Sequence, residues 1–322
     1  MKKMTLAAAL AVGLLGTAGL SAKGTITPGR GTVAQVTIAG TPLSINVGDD
    51  NSFQVFNSTI GGGTLGQIYP SNGTLADMGW FVRVGGALTA PSFGDHSSGS
   101  ATGSIGASSA YGGRTVSAVT GSGTAASPFS VTVQGTAAGM AVTQTITYVN
   151  GENFFRKSFQ LSNQGTNPIS ARVFLASDIY LANSDSGKPF REPNSGSPGG
   201  QTCAGVTPVY TILHISQGAV AANGFSADGY NSVWAQVGAG TLNGTVNPGE
   251  CLDNGAGLQW DVTVPAGGNA TVQAATSFGD IPVIVGPPAQ EAVSAPALGS
   301  WGLAALALAL MALAGIALNR RA

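Results

Sequence analysis

Charge, histidine and cysteine are all scarce in this chain, and each shortage removes a class of function. Asp, Glu, Lys and Arg together make 8% of 322 residues, against roughly a quarter in average soluble proteins. Between residues 23 and 294 there are nine Lys and Arg against fourteen Asp and Glu, a net charge of −5. No basic patch exists there to neutralise a run of phosphates, which excludes nucleic acid as a partner. The only histidines are His96 and His214, too few and too far apart for a zinc or copper centre. No G-x-S-x-G elbow occurs. His96 stands beside Asp95 and Ser97 in a polar loop and reads as a solvated histidine, while His214 lies in a strand pattern and reads as half-buried. No catalytic residue is assigned.

The two cysteines, Cys203 and Cys251, have no neighbouring histidine and form no CxxC pair, so they read as one disulfide in an oxidising compartment. Closing a loop of that length stabilises by about 4 kcal/mol in the chain-entropy account. No cofactor is expected, and no metal site of nitrogen or sulfur. Calcium alone needs only oxygen ligands, and Asp178, Asn183 and Asp185, or the turn Asp49-Asp50-Asn51, are the segments that offer them. Gly61 to Gly66 fits G-x-G-x-x-G, but Pro70 and Asn72-Gly73 follow where a dinucleotide site needs a helix, so it is a turn.

Helical periodicity is missing outside the two ends. Alternation of period two recurs instead. Leu258, Trp260, Val262 and Val264 share one face, with Gln259, Asp261 and Thr263 on the other. Met140, Val142, Ile146 and Tyr148 alternate in the same way with Ala141, Thr143, Thr145 and Thr147. Further strands are expected at 32–38, 42–47, 52–57, 78–84, 129–134, 153–162, 169–176, 208–214, 231–237 and 269–278. Turn signals at Asn72-Gly73, Gly85-Gly86, Asn150-Gly151, Asn243-Gly244 and Gly267-Gly268 separate them. So many short strands predict an all-β fold, an antiparallel β-sandwich over 23–280, either one large sandwich or two with a seam in the Gly/Ser/Ala-rich stretch 97–127. Residues 184–203 read as a long surface loop ending at Cys203.

The ends set the compartment. Lys2 and Lys3 precede an apolar run from Met4 to Leu20 that closes on Ser21-Ala22, the layout of a signal peptide over 1–22. Residues 281–294 are proline-rich and read as a stalk. Trp301 to Leu318 is eighteen uncharged residues, about 27 Å of helix and enough to span a bilayer. Arg320 and Arg321 follow at once and are expected to stay cytoplasmic.

On these residues the segment 295–322 resembles the IPTL-CTERM type of bacterial C-terminal sorting signal. Pro296, Leu298, Trp301, Gly302, the apolar helix and Arg320-Arg321 carry the match. Ala295, Ala297 and Gly299-Ser300 stand where the family usually has Ile, Thr and Ser-Glu. The resemblance covers about the last 28 residues. It implies a Gram-negative bacterium, passage across the inner membrane and processing by an exosortase-like membrane protease. The stretch Thr143 to Tyr180 is faintly similar to the supersandwich of mutarotase-like proteins, although that family's catalytic histidine pair has no counterpart here.

For the domain itself, a cell-surface polysaccharide is the ligand class the composition favours. Trp80, Trp234 and Tyr230 are the candidate stacking platforms, and Asp178 and Asp185 the candidate polar contacts; Trp260 reads as core. The expectation is a non-catalytic envelope protein, exported and held or sorted by its tail, with a structural, adhesive or glycan-contacting sandwich. The alternative is a surface-held carbohydrate-active enzyme using two carboxylates from among Asp178, Asp185, Glu192, Asp228, Glu250 and Asp253.

Overall fold

The computed structural model describes residues 33–60, 67–70, 75–96, 102–181 and 184–279. The segments expected to be a signal peptide, a stalk and a sorting signal, with Asn183, Asn72-Gly73 and the Gly61–Gly66 run, lie outside them. Among the described residues no helix is long and apolar enough to cross a membrane.

Among the described residues seventeen strands build two sheets. In chain order they are β1 Gln35–Ala39, β2 Leu43–Gly48, β3 Ser52–Asn57, β4 Ala76–Val84, β5 Ala87–Ala90, β6 Ser109–Ala110, β7 Gly112–Val116, β8 Phe129–Ala137, β9 Met140–Tyr148, β10 Phe154–Ser162, β11 Ile169–Asp178, β12 Gly187–Arg191, β13 Pro198–Thr202, β14 Thr211–Gln217, β15 Gly224–Gly229, β16 Asn254–Val264 and β17 Asn269–Gly279. The first sheet runs β1-β2-β3-β4-β11-β16-β15, with β5 and β6 attached beyond β4. The second runs β12-β13-β14-β17-β10-β9-β8-β7. Every pairing between these strands is antiparallel except the short β5–β6 contact. The antiparallel sandwich expected from the alternation is the fold.

The two sheets share one apolar core, in which Trp80 stacks on Phe159 at 5.1 Å between ring centres and meets Trp260 at 5.6 Å. Alternation decides who enters it: β9 buries Met140, Val142, Gln144, Ile146 and Tyr148 and leaves the residues between them partly or fully wet. The turns fall where the sequence marks them. Gly85, Gly151, Gly244 and Gly267 all take positive φ, the conformation a side chain resists and glycine does not. The stretch 102–127 is no seam, since β6 and β7 within it join one sheet each.

Two expectations fail. Residues 231–237 are not a strand but part of the helix α1, Tyr230–Ala239. Its buried residues Tyr230, Val233, Trp234 and Val237 follow i, i+3, i+4, i+7, the helical spacing, which is hidden in a segment only three turns long. The helix lies on the outer face of the first sheet and packs on Phe81, Phe93 and Phe174 in a second apolar cluster. That is why the middle of β4 and β11 is buried on both faces. Residues 184–203 are likewise no open loop, because β12 and β13 pair within them as a hairpin on the edge of the second sheet.

Candidate functional site

The predicted Cys203–Cys251 disulfide forms, with 4.9 Å between the Cα atoms. It fastens the segment before β16 to the end of β13, and Leu252 and Gly187 exchange two backbone hydrogen bonds of 2.7 Å nearby. These ties bring three carboxylates from distant parts of the sequence together. Asp178 is the last residue of β11, Asp185 lies two residues before β12, and Asp253 immediately precedes β16. An oxygen from each lies within 4.8 Å of the others; Asp178 is buried and the other two half-buried. Asp178 and Asp185, candidates near each other in sequence, are brought together, and Asp253 joins them. An oxygen-only donor set suits a hard cation such as calcium, and carboxyl groups this close also suit an acid and base sharing a proton.

The remaining carboxylates do not converge there. Glu192 accepts hydrogen bonds from Ser195 and from the backbone amide and side chain of Asn194, so the loop holds its carboxyl down at about 2. Asp228 binds Ser232, the Gly229 amide and Asn247 at the start of α1, satisfying donors where the helix dipole favours an anion. Glu250 pairs with Lys188 at 2.8 Å in the open.

The aromatic platforms are withdrawn from the surface. Trp80 and Trp234 are fully buried and Tyr230 is 7% exposed. Trp80 fills the space between the sheets, and Trp234 with Tyr230 forms the seat of α1, so neither tryptophan presents a face to a sugar. Trp260 is core, as read.

His96 is not a solvated loop residue, and His214, on the expected strand β14, is fully buried where half-burial was expected. His96 is 1% exposed, and its Nε2 meets Asp50 Oδ2 at 2.9 Å and Ser52 Oγ at 3.2 Å. Ser52 also donates to Asp50 Oδ1, and the Ser92 amide donates to Oδ2 at 2.8 Å. Burial raises the Asp50 pKa, but the His96 contact with those of Ser52 and Ser92 outweighs it and holds the carboxyl below its usual range. This serine, histidine and aspartate are not a hydrolytic triad. Acid and hydroxyl share one ring nitrogen, whereas a relay needs them on opposite nitrogens. The same contacts turn the Asp49-Asp50-Asn51 segment inward, with Asp49 3.8 Å from Arg114.

His214 joins a buried chain across the two sheets. Ser177 Oγ on β11 meets His214 Nε2 at 2.7 Å, His214 Nδ1 meets Thr276 Oγ1 at 3.1 Å, and Thr276 Oγ1 accepts from Lys157 Nζ. Lys157 lies 4.3 Å from the centre of the Phe155 ring. Burial pushes the Lys157 pKa well below the usual lysine range, and burial with the nearby Lys157 charge takes His214 down to about 3. Sequence reading missed this chain because its four members lie on four separate strands far apart in sequence.

Two open clefts among the described residues are lined by other parts of the surface. One of about 670 Å³ runs along the outer face of the first sheet by Arg83, Arg172 and Asp261. There Arg83 donates to the Gly238 carbonyl at 2.8 Å and Arg172 to Gly240, so both arginines serve the C-terminal end of α1, where its dipole favours cations. Another, of about 460 Å³, opens between the β12–β13 turn and β15.

No known protein family and no curated protein matches the chain. Among solved structures it is similar to a bacterial glucoamylase complexed with acarbose, at 10% identity and a TM-score of 0.44 over 80% of this chain and 35% of that one. A kojibiose phosphorylase from the human microbiome matches at 7% identity and 0.39, over 75% and 29%. The heparan sulfate lyase HepC of Pedobacter heparinus matches at 7% and 0.39, over 80% and 37%. The chain spans about a third of the length of each.

Proposed function

We propose that this is an exported protein of the bacterial cell envelope, held or sorted through its C-terminal segment, whose sandwich contacts cell-surface polysaccharide without doing chemistry on it. The observation that carries the non-catalytic part is burial: both histidines and Trp80, Trp234 and Trp260 are sealed inside. What remains outside is rich in hydroxyl and amide groups, suited to polar contact. The Cys203–Cys251 disulfide is compatible with an oxidising compartment. The Trp301–Leu318 run and Arg320-Arg321 supply the inner-membrane stop, and Pro296, Leu298, Trp301 and Gly302 the segment an exosortase-like protease would read.

Cell fractionation with intact-mass analysis tests the location. Deletion from Trp301 onward, or Leu308→Arg, is expected to release the domain into the medium; unchanged retention of both variants would refute tail anchoring. A mass ending before Trp301 supports enzymatic sorting, whereas a membrane-bound mass retaining Arg321 replaces it with simple anchoring.

One observation favours a second reading, a carbohydrate-active enzyme: the approach of Asp178, Asp185 and Asp253 within 4.8 Å. Reducing-end release from envelope polysaccharide, present in the native protein and lost in Asp253→Asn at unchanged melting temperature, would establish it over the first.

A further inference from the structure

Seven Lys and Arg residues fall in the described part of the chain, and six have a structural task. Arg83 and Arg172 hold the end of α1, and Arg172 also pairs with Asp261. Arg114 binds Ser92 and faces Asp49. Arg156 pairs with Glu152, and Lys188 with Glu250. Lys157 is buried in the polar chain between the sheets. Arg191 is the exception: among the described residues no carboxylate pairs with it.

Its guanidinium is nonetheless held in place. The Phe225 ring lies 3.9 Å beneath it, and Nε donates to the Gly196 carbonyl at 2.9 Å. Gly196 takes a φ of 68°, and a β-carbon there would stand 3.0 Å from Nη2, so the turn is shaped around the guanidinium. The acid next to it in sequence, Glu192, is committed to its own loop through Asn194 and Ser195. A cation stacked on one face and tied at Nε keeps its outer N–H fork directed and unspent, the geometry that takes a planar anion by two parallel hydrogen bonds.

The fork stands at the cleft of about 460 Å³ between the β12–β13 turn and β15. That volume lies in the range of small-ligand sites. Ser195, Ser197 and Ser216 line it with hydroxyls, and Ile215 and Leu258 give it an apolar floor. Hydroxyls, an apolar patch and one directed cation together match a ring with C–H surface, hydroxyl groups and an anionic substituent.

We infer that this cleft is a binding site for an acidic sugar unit, with Arg191 taking the carboxylate or sulfate group. The inference rests on the glycan-contacting reading above and narrows it to anionic polysaccharide. Isothermal titration of the intact exported domain at low salt tests it, with trigalacturonate as the carboxylate probe, its methyl ester as the neutral one and a carrageenan-derived tetrasaccharide as the sulfate one. At least one acidic probe is expected to bind, with the ester about tenfold weaker or more, the loss of roughly one charge-assisted hydrogen bond. Raised salt should weaken the acidic probe further. Arg191→Lys keeps the charge without the fork and Arg191→Met removes both; each should lose about tenfold or more at an unchanged melting temperature. Equal affinity for acid and ester, or unaltered binding by both variants, overturns the inference and leaves neutral glycan contact standing. Absence of binding by all three saccharides overturns both.

Discussion

Ser177 and His214 meet across the sandwich, Oγ to Nε2 at 2.7 Å, a buried polar contact between two sheets that pack mainly through apolar side chains. The ring is uncharged here, because burial and the neighbouring Lys157, with which it shares Thr276, oppose its protonation. Both bases have folded pKa values below their ordinary ones. The unfolded chain therefore takes the proton first as pH falls, below about 10.5 for Lys157 and about 6.5 for His214. Each contribution to stability is complete above those values and declines below them. For His214 the decline ends only near its folded value of about 3. Urea midpoints should fall between pH 7 and pH 4 with a slope on the order of 1.4 kcal/mol per pH unit from this residue, and His214→Gln should flatten that slope. A native profile already flat across that range would refute the assignment.

Lys157 separates the cost of burying an amine from the value of filling space. Its Nζ has one hydrogen-bond partner, Thr276, and otherwise aromatic surroundings. Lys157→Met keeps the volume and removes the desolvated amine, so stability should hold or rise, as when buried charges are replaced by matched apolar groups. Lys157→Ala opens a cavity and should cost about 2–5 kcal/mol. Equal losses in the two variants, read from urea unfolding, would show that the amine and not the stem stabilises this position.

Trp80 is a structural residue on this fold and not a sugar platform. Between Phe159 and Trp260 it fills the centre of the core, so Trp80→Ala should cost about 3–5 kcal/mol. Any loss of glycan binding should vanish once the folded fraction is restored by lower temperature. Reduced affinity at full folding would return the residue to a binding role.

Sequence alternation made the sandwich legible but not its depth. A strand with one polar face reads correctly when that face meets water, as in β9. Trp80 and Phe81, adjacent on β4, point to opposite faces and are both fully buried, because α1 covers the outer side. Nothing local to β4 announces that cover. It comes from Val233, Trp234 and Val237, whose run is apolar enough to pass for a strand. The carboxylate cluster was half legible for a related reason. Asp178 and Asp185 are near in sequence, whereas Asp253 arrives only through the pairing of β11 with β16 and the Leu252–Gly187 contact. Arg191 was invisible because what distinguishes it is the partner it does not have.

The stabilisation from the disulfide should follow the logarithm of the loop it closes. Cys203 and Cys251 are 48 residues apart, a span that includes β14, β15 and α1. Cross-linking such a span stabilises by about 4 kcal/mol through the unfolded chain. The double variant Cys203→Ser/Cys251→Ser should lose about that much in denaturant unfolding, and it should also loosen the Asp178, Asp185 and Asp253 grouping, visible as faster amide exchange at Leu252 and Gly187. A full stability loss with unchanged exchange there would confine the effect to the unfolded chain.

Gly238 lies inside α1, where glycine is about 1 kcal/mol worse than alanine in an exposed helix. Propensity alone therefore favours Gly238→Ala. The structure opposes it: a β-carbon on Gly238 would stand 2.0 Å from the Ile105 carbonyl oxygen, a backbone atom that no rotamer change can move. The segment 103–105 presses on the helix at this point, and Ile105 enters the same apolar cluster as Trp234. Sterics should win because the shift required displaces a whole backbone segment, while the propensity gain is confined to one residue. Gly238→Ala is expected to lower stability by about 1–3 kcal/mol, the usual range for overpacking, and to expose Trp234 to quenching by acrylamide. A melting temperature equal to or above the native one would mean that α1 is not seated on residues 103–105 in solution, and with it would go the cover that buries Phe81 and Phe174.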